Sequence, residues 1–82
     1  MMQKDQVVIY HNMEDEKIYV KVPEGIATHF QFQNLAGKII EEAVHDKSLQ
    51  DFDLTGLPEG NYFVIVNQDD VIRSKKIQIG FD

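Results

Sequence analysis

Apolar residues recur at every second position in short runs, and turn residues separate the runs about every eight to twelve positions. Alternation of that period places successive side chains on opposite faces of a strand, so the chain reads as all-β. Residues 17–22 are the cleanest case: Ile18, Val20 and Val22 share one face, and Lys17, Tyr19 and Lys21 the other. Residues 28–33 repeat the pattern, with Thr28, Phe30 and Phe32 inward and His29, Gln31 and Gln33 outward. Residues 50–54 put Phe52 and Leu54 opposite Asp51 and Asp53. A first β-rich run covers 6–10 and a last one 71–79. In the last, parity breaks between Ile72 and Ile77, so a bulge near Ser74 is expected. Residues 61–66 are apolar on both faces, Tyr62, Val64 and Val66 against Phe63 and Ile65, which predicts a central strand buried on both sides.

Turn chemistry punctuates these runs. Pro23-Glu24-Gly25 and Pro58-Glu59-Gly60 each follow an apolar residue; their flanks do not match, so shared turn chemistry explains them better than duplication. Asn34-Leu35-Ala36-Gly37 closes a hairpin, with Gly37 free to take a positive φ. The ambiguous stretch is 38–45, where Ile39, Ile40, Ala43 and Val44 would also line a short helix. A strand is preferred, because the hairpin turn sends the chain straight back and a two-turn helix alone is marginal. The expectation is a seven-stranded β-sandwich forming a single domain over residues 1–82, with its core within 6–79.

Composition removes several functions. The net charge is −6, with 14 acidic and 8 basic residues, which argues against nucleic acid as the main partner. No cysteine is present, so disulfides, thiolate metal sites and thiol nucleophiles are excluded. No apolar run approaches the ~20 residues of a membrane span, so direct membrane insertion is not expected. The opening Met1-Met2-Gln3-Lys4-Asp5-Gln6 has no apolar signal-peptide core, which leaves either a cytoplasmic protein or one whose leader was removed.

Catalytic and metal chemistry finds little support. His11, His29 and His45 stand at no metal-like spacing, and Asp69-Asp70 is the best of a weak set of calcium candidates, without a full ligand loop. Neither Ser48 nor Ser74 lies in a nucleophile elbow, and the glycines do not have phosphate-loop spacing. No catalytic residue, metal ligand or cofactor site is assigned, and the chain is read as a non-enzyme. The residues left for a partner are the basic cluster Arg73, Lys75 and Lys76, and Tyr10 and Tyr19 if they are exposed.

Two segments carry a family resemblance. The first is Phe30-Gln31-Phe32-Gln33-Asn34-Leu35-Ala36-Gly37-Lys38-Ile39-Ile40. The second runs Asp51-Phe52-Asp53-Leu54-Thr55-Gly56-Leu57-Pro58-Glu59-Gly60-Asn61-Tyr62-Phe63-Val64-Ile65-Val66, with Lys75-Lys76-Ile77 following at a distance. An apolar strand into Asn-Leu-x-Gly-Lys, then Leu-Pro-x-Gly-x-Tyr-Phe-Val, then Lys-Lys-Ile, resembles the C-terminal sorting domain of the type IX secretion system of Bacteroidetes. Where that family has Tyr-Pro-Asn-Pro, this chain has Tyr10-His11-Asn12-Met13. The resemblance implies a seven-stranded, immunoglobulin-like sandwich at the end of an exported cargo, recognised by the export machinery and removed by its sortase. It also fits a stand-alone, secreted or cell-envelope immunoglobulin-like binding module, and both readings stay open here.

Overall fold

The structure, a computed structural model, describes residues 7–80. Its strands are β1 Val8–Asn12, β2 Lys17–Lys21, β3 Thr28–Asn34, β4 Ile39–His45, β5 Leu49–Asp53, β6 Gly60–Gln68 and β7 Val71–Ile79. They form an antiparallel sheet of order β1-β2-β5 and another of order β4-β3-β6-β7. The first strand begins at Val8 and continues to Asn12, later than the expected run over 6–10, and residue 6 lies outside the described residues. The ambiguous 38–45 stretch is a strand paired with β3, and it sits beside β3 instead of completing the β1-β2-β5 sheet.

The inward faces are those the alternation marks. Ile18, Val20, Val22, Phe52 and Leu54 from one sheet meet Phe30, Phe32, Tyr62, Val64, Val66 and Ile77 from the other, all buried. Phe32 lies between Phe52 across the sandwich, at 5.5 Å between ring centroids, and Tyr62 on its own sheet, at 5.4 Å. Tyr62 also donates its hydroxyl to Pro58 O at 2.6 Å. A tyrosine early in the sixth strand, bonded to backbone just upstream, is the tyrosine corner of immunoglobulin-like sandwiches.

Two expectations about strand faces are corrected. Phe63 and Ile65 are half-buried, because β6 is central within its sheet but no second layer covers its outer face. Nor is there a bulge near Ser74: the β6–β7 register runs unbroken from Gly60 opposite Ile79 to Gln68 opposite Val71. Ile72 simply faces out and Ile77 in. β7 is an edge strand of its sheet, and its inward positions Arg73 and Lys75 are polar, Arg73 half-buried and Lys75 exposed. The irregularity occurs instead in β3–β4, between Phe32 and Gln33, where Ile40 is the extra residue.

Hairpin geometry follows the turn residues. Gly37 has φ +88° and donates its N–H to Asn34 O at 3.0 Å, while Asn34 N–H reaches Lys38 O at 3.0 Å. The β6–β7 connection is two residues, Asp69 and Asp70, both left-handed at φ +54° and +65°. That is the geometry of a type I′ turn, whose backbone twist suits the flanking strands. The Asp pair therefore has a structural role. Each L-residue in that region costs ~1 kcal/mol relative to glycine. Asp70→Gly is accordingly expected to raise the melting temperature by roughly 4–8 °C. A circular-dichroism melt of the variant beside the parent, showing no rise, would refute this.

Candidate partner-binding surface

The sequence candidates fall on particular faces of this sandwich. Tyr10 and Tyr19 are direct cross-strand partners on the outer face of the three-stranded sheet. Their rings stack at 6.3 Å between centroids, and Tyr19 donates its hydroxyl to Asp15 Oδ2 at 2.9 Å. That hydrogen bond, followed by partial desolvation, raises the Tyr19 pKa above the usual phenol value. Asp51 sits opposite Tyr19 on the next strand, and Lys17 reaches Asp51 Oδ2 at 3.4 Å. The hydrogen bond to Asp51 is also the main reason the Lys17 pKa is raised. Both charges are exposed, so this pair fixes side-chain positions more than it stabilises. The surface is thus a tyrosine pair bordered by ordered charges. Neither sheet pairing nor register could be read from two isolated tyrosines.

The basic residues do not gather into one patch. Arg73 and Lys75 occupy inward-pointing positions of β7 and Lys76 an outward one, as alternation along a regular strand requires. Lys75 spans the gap between the sheets and donates Nζ to Ile9 O on β1 at 3.1 Å. Lys75 thus reaches the β1 backbone one residue before Tyr10, while Lys76 lies on the outer face of the four-stranded sheet. The opposite side is also bridged: His45 of β4 stacks on Phe30 at 4.8 Å and bonds Gln50 Oε1 of β5 at 2.8 Å. Because Lys47 N–H donates to His45 Nδ1 at 3.1 Å, the proton resides on Nε2, which donates to Gln50.

The outer face of the four-stranded sheet mixes apolar and polar groups. Half-buried Phe63 and Ile65 share this face with exposed Ile72 and Val44. Beside them His29 Nε2 and Glu42 Oε2 approach to 2.6 Å across β3 and β4, with Gln31 also on that carboxylate. The His29 hydrogen bond, then that of Gln31, holds the Glu42 carboxyl below the usual carboxylate range. A depressed folded-state pKa supplies stability above the unfolded pKa, and that contribution is lost as pH falls through the folded value. His29→Ala is expected to move the Glu42 side-chain titration upward toward the unperturbed glutamate range. A carbon-detected NMR titration in which it stays put would remove His29 as the cause.

An open cleft of about 260 Å³ lies at one end of the sandwich, lined by His11, Glu16, Leu54, Leu57, Gln78 and Ile79 among others. Among the described residues no three His, Cys, Asp or Glu side chains converge as metal ligands, and no helix is long and apolar enough to cross a membrane. His11, Glu16 and Gln78 are its polar side chains beside apolar Leu54, Leu57 and Ile79, and no Ser, Thr, Cys or Lys side chain is among its lining residues.

Comparison with known proteins gives two positive findings. A family model described as the secretion system C-terminal sorting domain matches residues 8–80, spanning all seven strands. Among solved structures, a DUF3244 family protein from Bacteroides vulgatus with an immunoglobulin-like β-sandwich fold is similar to this chain at TM-score 0.74 and 9% identity, covering 88% of this chain and 81% of that one. At that identity the likeness concerns fold alone. No curated protein matches the chain.

Proposed function

This chain belongs to the secretion system C-terminal sorting domain family, and from that premise we propose that it is a non-enzymatic targeting unit of a secreted or cell-surface protein, read by the type IX export machinery. The observation that carries the proposal is the family match over residues 8–80. The fold supports it, because a rigid sandwich presents surface residues at fixed positions without needing a catalytic pocket. In this reading the 82 residues act as one unit. Recognition uses the β7 side, where Lys75 meets β1 beside Tyr10 and Tyr19, with Arg73 further along the same inward-facing row and Lys76 on the adjoining broad face.

The test is export. A folded reporter fused ahead of residue 1 and given a signal peptide is expected to appear outside a Bacteroidetes cell with an intact type IX system, and to remain in the periplasm of a strain lacking it. Retention of the reporter in both strains would defeat the proposal.

A further inference from the structure

Among the described residues no strand pairs with the outer side of β4 or of β7, and these two edge strands of the four-stranded sheet differ in charge. β4 carries Glu41 and Glu42 and no Lys or Arg, whereas β7 carries Arg73, Lys75 and Lys76 and no acid. Two copies pairing β4 to β4, or β7 to β7, would set like charges across the new ladder, which is unfavourable. β7 against β4 sets opposite charges together. The strand directions permit it: neighbours in the sheet are antiparallel throughout, so a second copy displaced along the sheet offers β4 antiparallel to β7.

Hydrogen-bonding parity also agrees. In an antiparallel ladder alternate residues turn both backbone groups toward the same neighbour. Asn34 N–H donates to Lys38 O, so the even residues of β3 face β4, its odd residues face β6, and Glu42 and Val44 of β4 turn outward. Carried across β6, the same alternation turns Ile72, Ser74 and Lys76 of β7 outward. Arg73 Nη1 does reach Ile72 O, at 3.2 Å, from outside the ladder.

One register satisfies every requirement. With Ile72 opposite Val44 and Ser74 opposite Glu42, both pairs join outward-turned backbone. The two exposed β-branched side chains, at 60% and 68% exposure, then cover each other. Lys75 falls opposite Glu41, with Arg73 diagonal to Glu41 and Lys76 diagonal to Glu42. Burial, then the nearby Asp51 and Asp53 charges, raises the Glu41 pKa, and an incoming cation relieves that strain. We propose that β7 accepts β4 of a second copy of this chain as a fifth strand, head to tail, with Ile72 opposite Val44 and Lys75 opposite Glu41. Such a contact does not close on itself, so it builds linear assemblies. A strand pair this short belongs with transient contacts burying below ~1,200 Å². The assembly is therefore concentration-dependent and weakened by salt.

The test is the weight-average mass of the 82-residue chain by sedimentation equilibrium. In low salt the mass is expected to climb with concentration beyond twice the 9.5 kDa monomer, and to return to monomer in about 0.5 M salt. Glu41→Lys with Glu42→Lys, and Lys75→Glu with Lys76→Glu, should each give a monomer, while a 1:1 mixture of the two double variants assembles again. A wild-type mass fixed at the monomer, growth that stops at a dimer, or assembly by either double variant alone would overturn the proposal. If either double variant fails to fold by circular dichroism, Ser74→Pro replaces it. The Ser74 N–H turns away from β6, so proline leaves that ladder intact and removes a donor from the free edge. Assembly should then be lost, and its persistence would overturn the proposal equally.

Discussion

Tyr62→Ala is expected to unfold the domain or to lower its melting temperature by tens of degrees. Tyr62 is only 5% exposed, packs on Phe32, and anchors the turn before β6 through its hydroxyl bond to Pro58 O. Truncating a buried aromatic side chain costs ~3–5 kcal/mol. A domain of this length has on the order of 4–12 kcal/mol to lose in total. At about 4–8 °C per kcal/mol, the loss takes much of the native population at ordinary temperature. Phe32 would suffer as well, because its stack onto Phe52 joins the two sheets and Tyr62 supports its other side. Tyr62→Phe divides the effect. It keeps the ring and removes only the hydroxyl bond, at ~0.5–1.5 kcal/mol, since exposed Pro58 can hydrate its freed carbonyl. Thermal melts of both variants decide the matter: an alanine variant melting within a few degrees of wild type would show that Tyr62 is peripheral.

The buried half of this fold was legible because burial leaves a period-two imprint. Ile18, Val20, Phe30, Phe32, Phe52, Val64 and Val66 all face inward as their spacing predicts. β4 was legible for another reason, since most of it is exposed. The Asn34–Gly37 turn returns the chain beside β3 whatever the composition of the next strand. What stayed hidden depends on which faces a second layer covers. An apolar pair such as Phe63 and Ile65 reads the same whether or not a layer covers it. The polar inward positions of β7 likewise imitated a bulge, because they interrupt the apolar row that ends in buried Ile77. The candidate surface was legible as residues but not as an arrangement. Register makes partners of Tyr10 and Tyr19, and alternation separates Lys76 from Arg73 and Lys75. Lys75 could not have been assigned to Ile9 O from a separation of 66 positions.

Lys75→Glu with Lys76→Glu is expected to abolish export of a reporter that the wild-type domain carries out. Export by recognition requires a surface that the machinery can orient against, and exposed charges steer and orient a partner more than they hold a fold together. The substitutions reverse both exposed lysines of β7 in an otherwise acidic chain. Their structural effects differ. Lys76→Glu alters a solvated outward position and should change stability by about half a kcal/mol or less. Lys75→Glu puts an acceptor where Ile9 O has a donor, so about 0.5–1.5 kcal/mol is lost with that bond. Lys75→Met serves as the control, because it removes the same bond without adding negative charge. If charge recognition is the cause, Lys75→Met melts lower but still exports, while the double glutamate variant is retained in the periplasm as folded, protease-resistant protein. Wild-type export by the double variant would remove β7 from the recognised surface and leave the tyrosine pair as the place to substitute next. Loss of export by Lys75→Met as well would place the requirement on Lys75 itself, through its positive charge or its bond to Ile9 O, without need of the reversed charge.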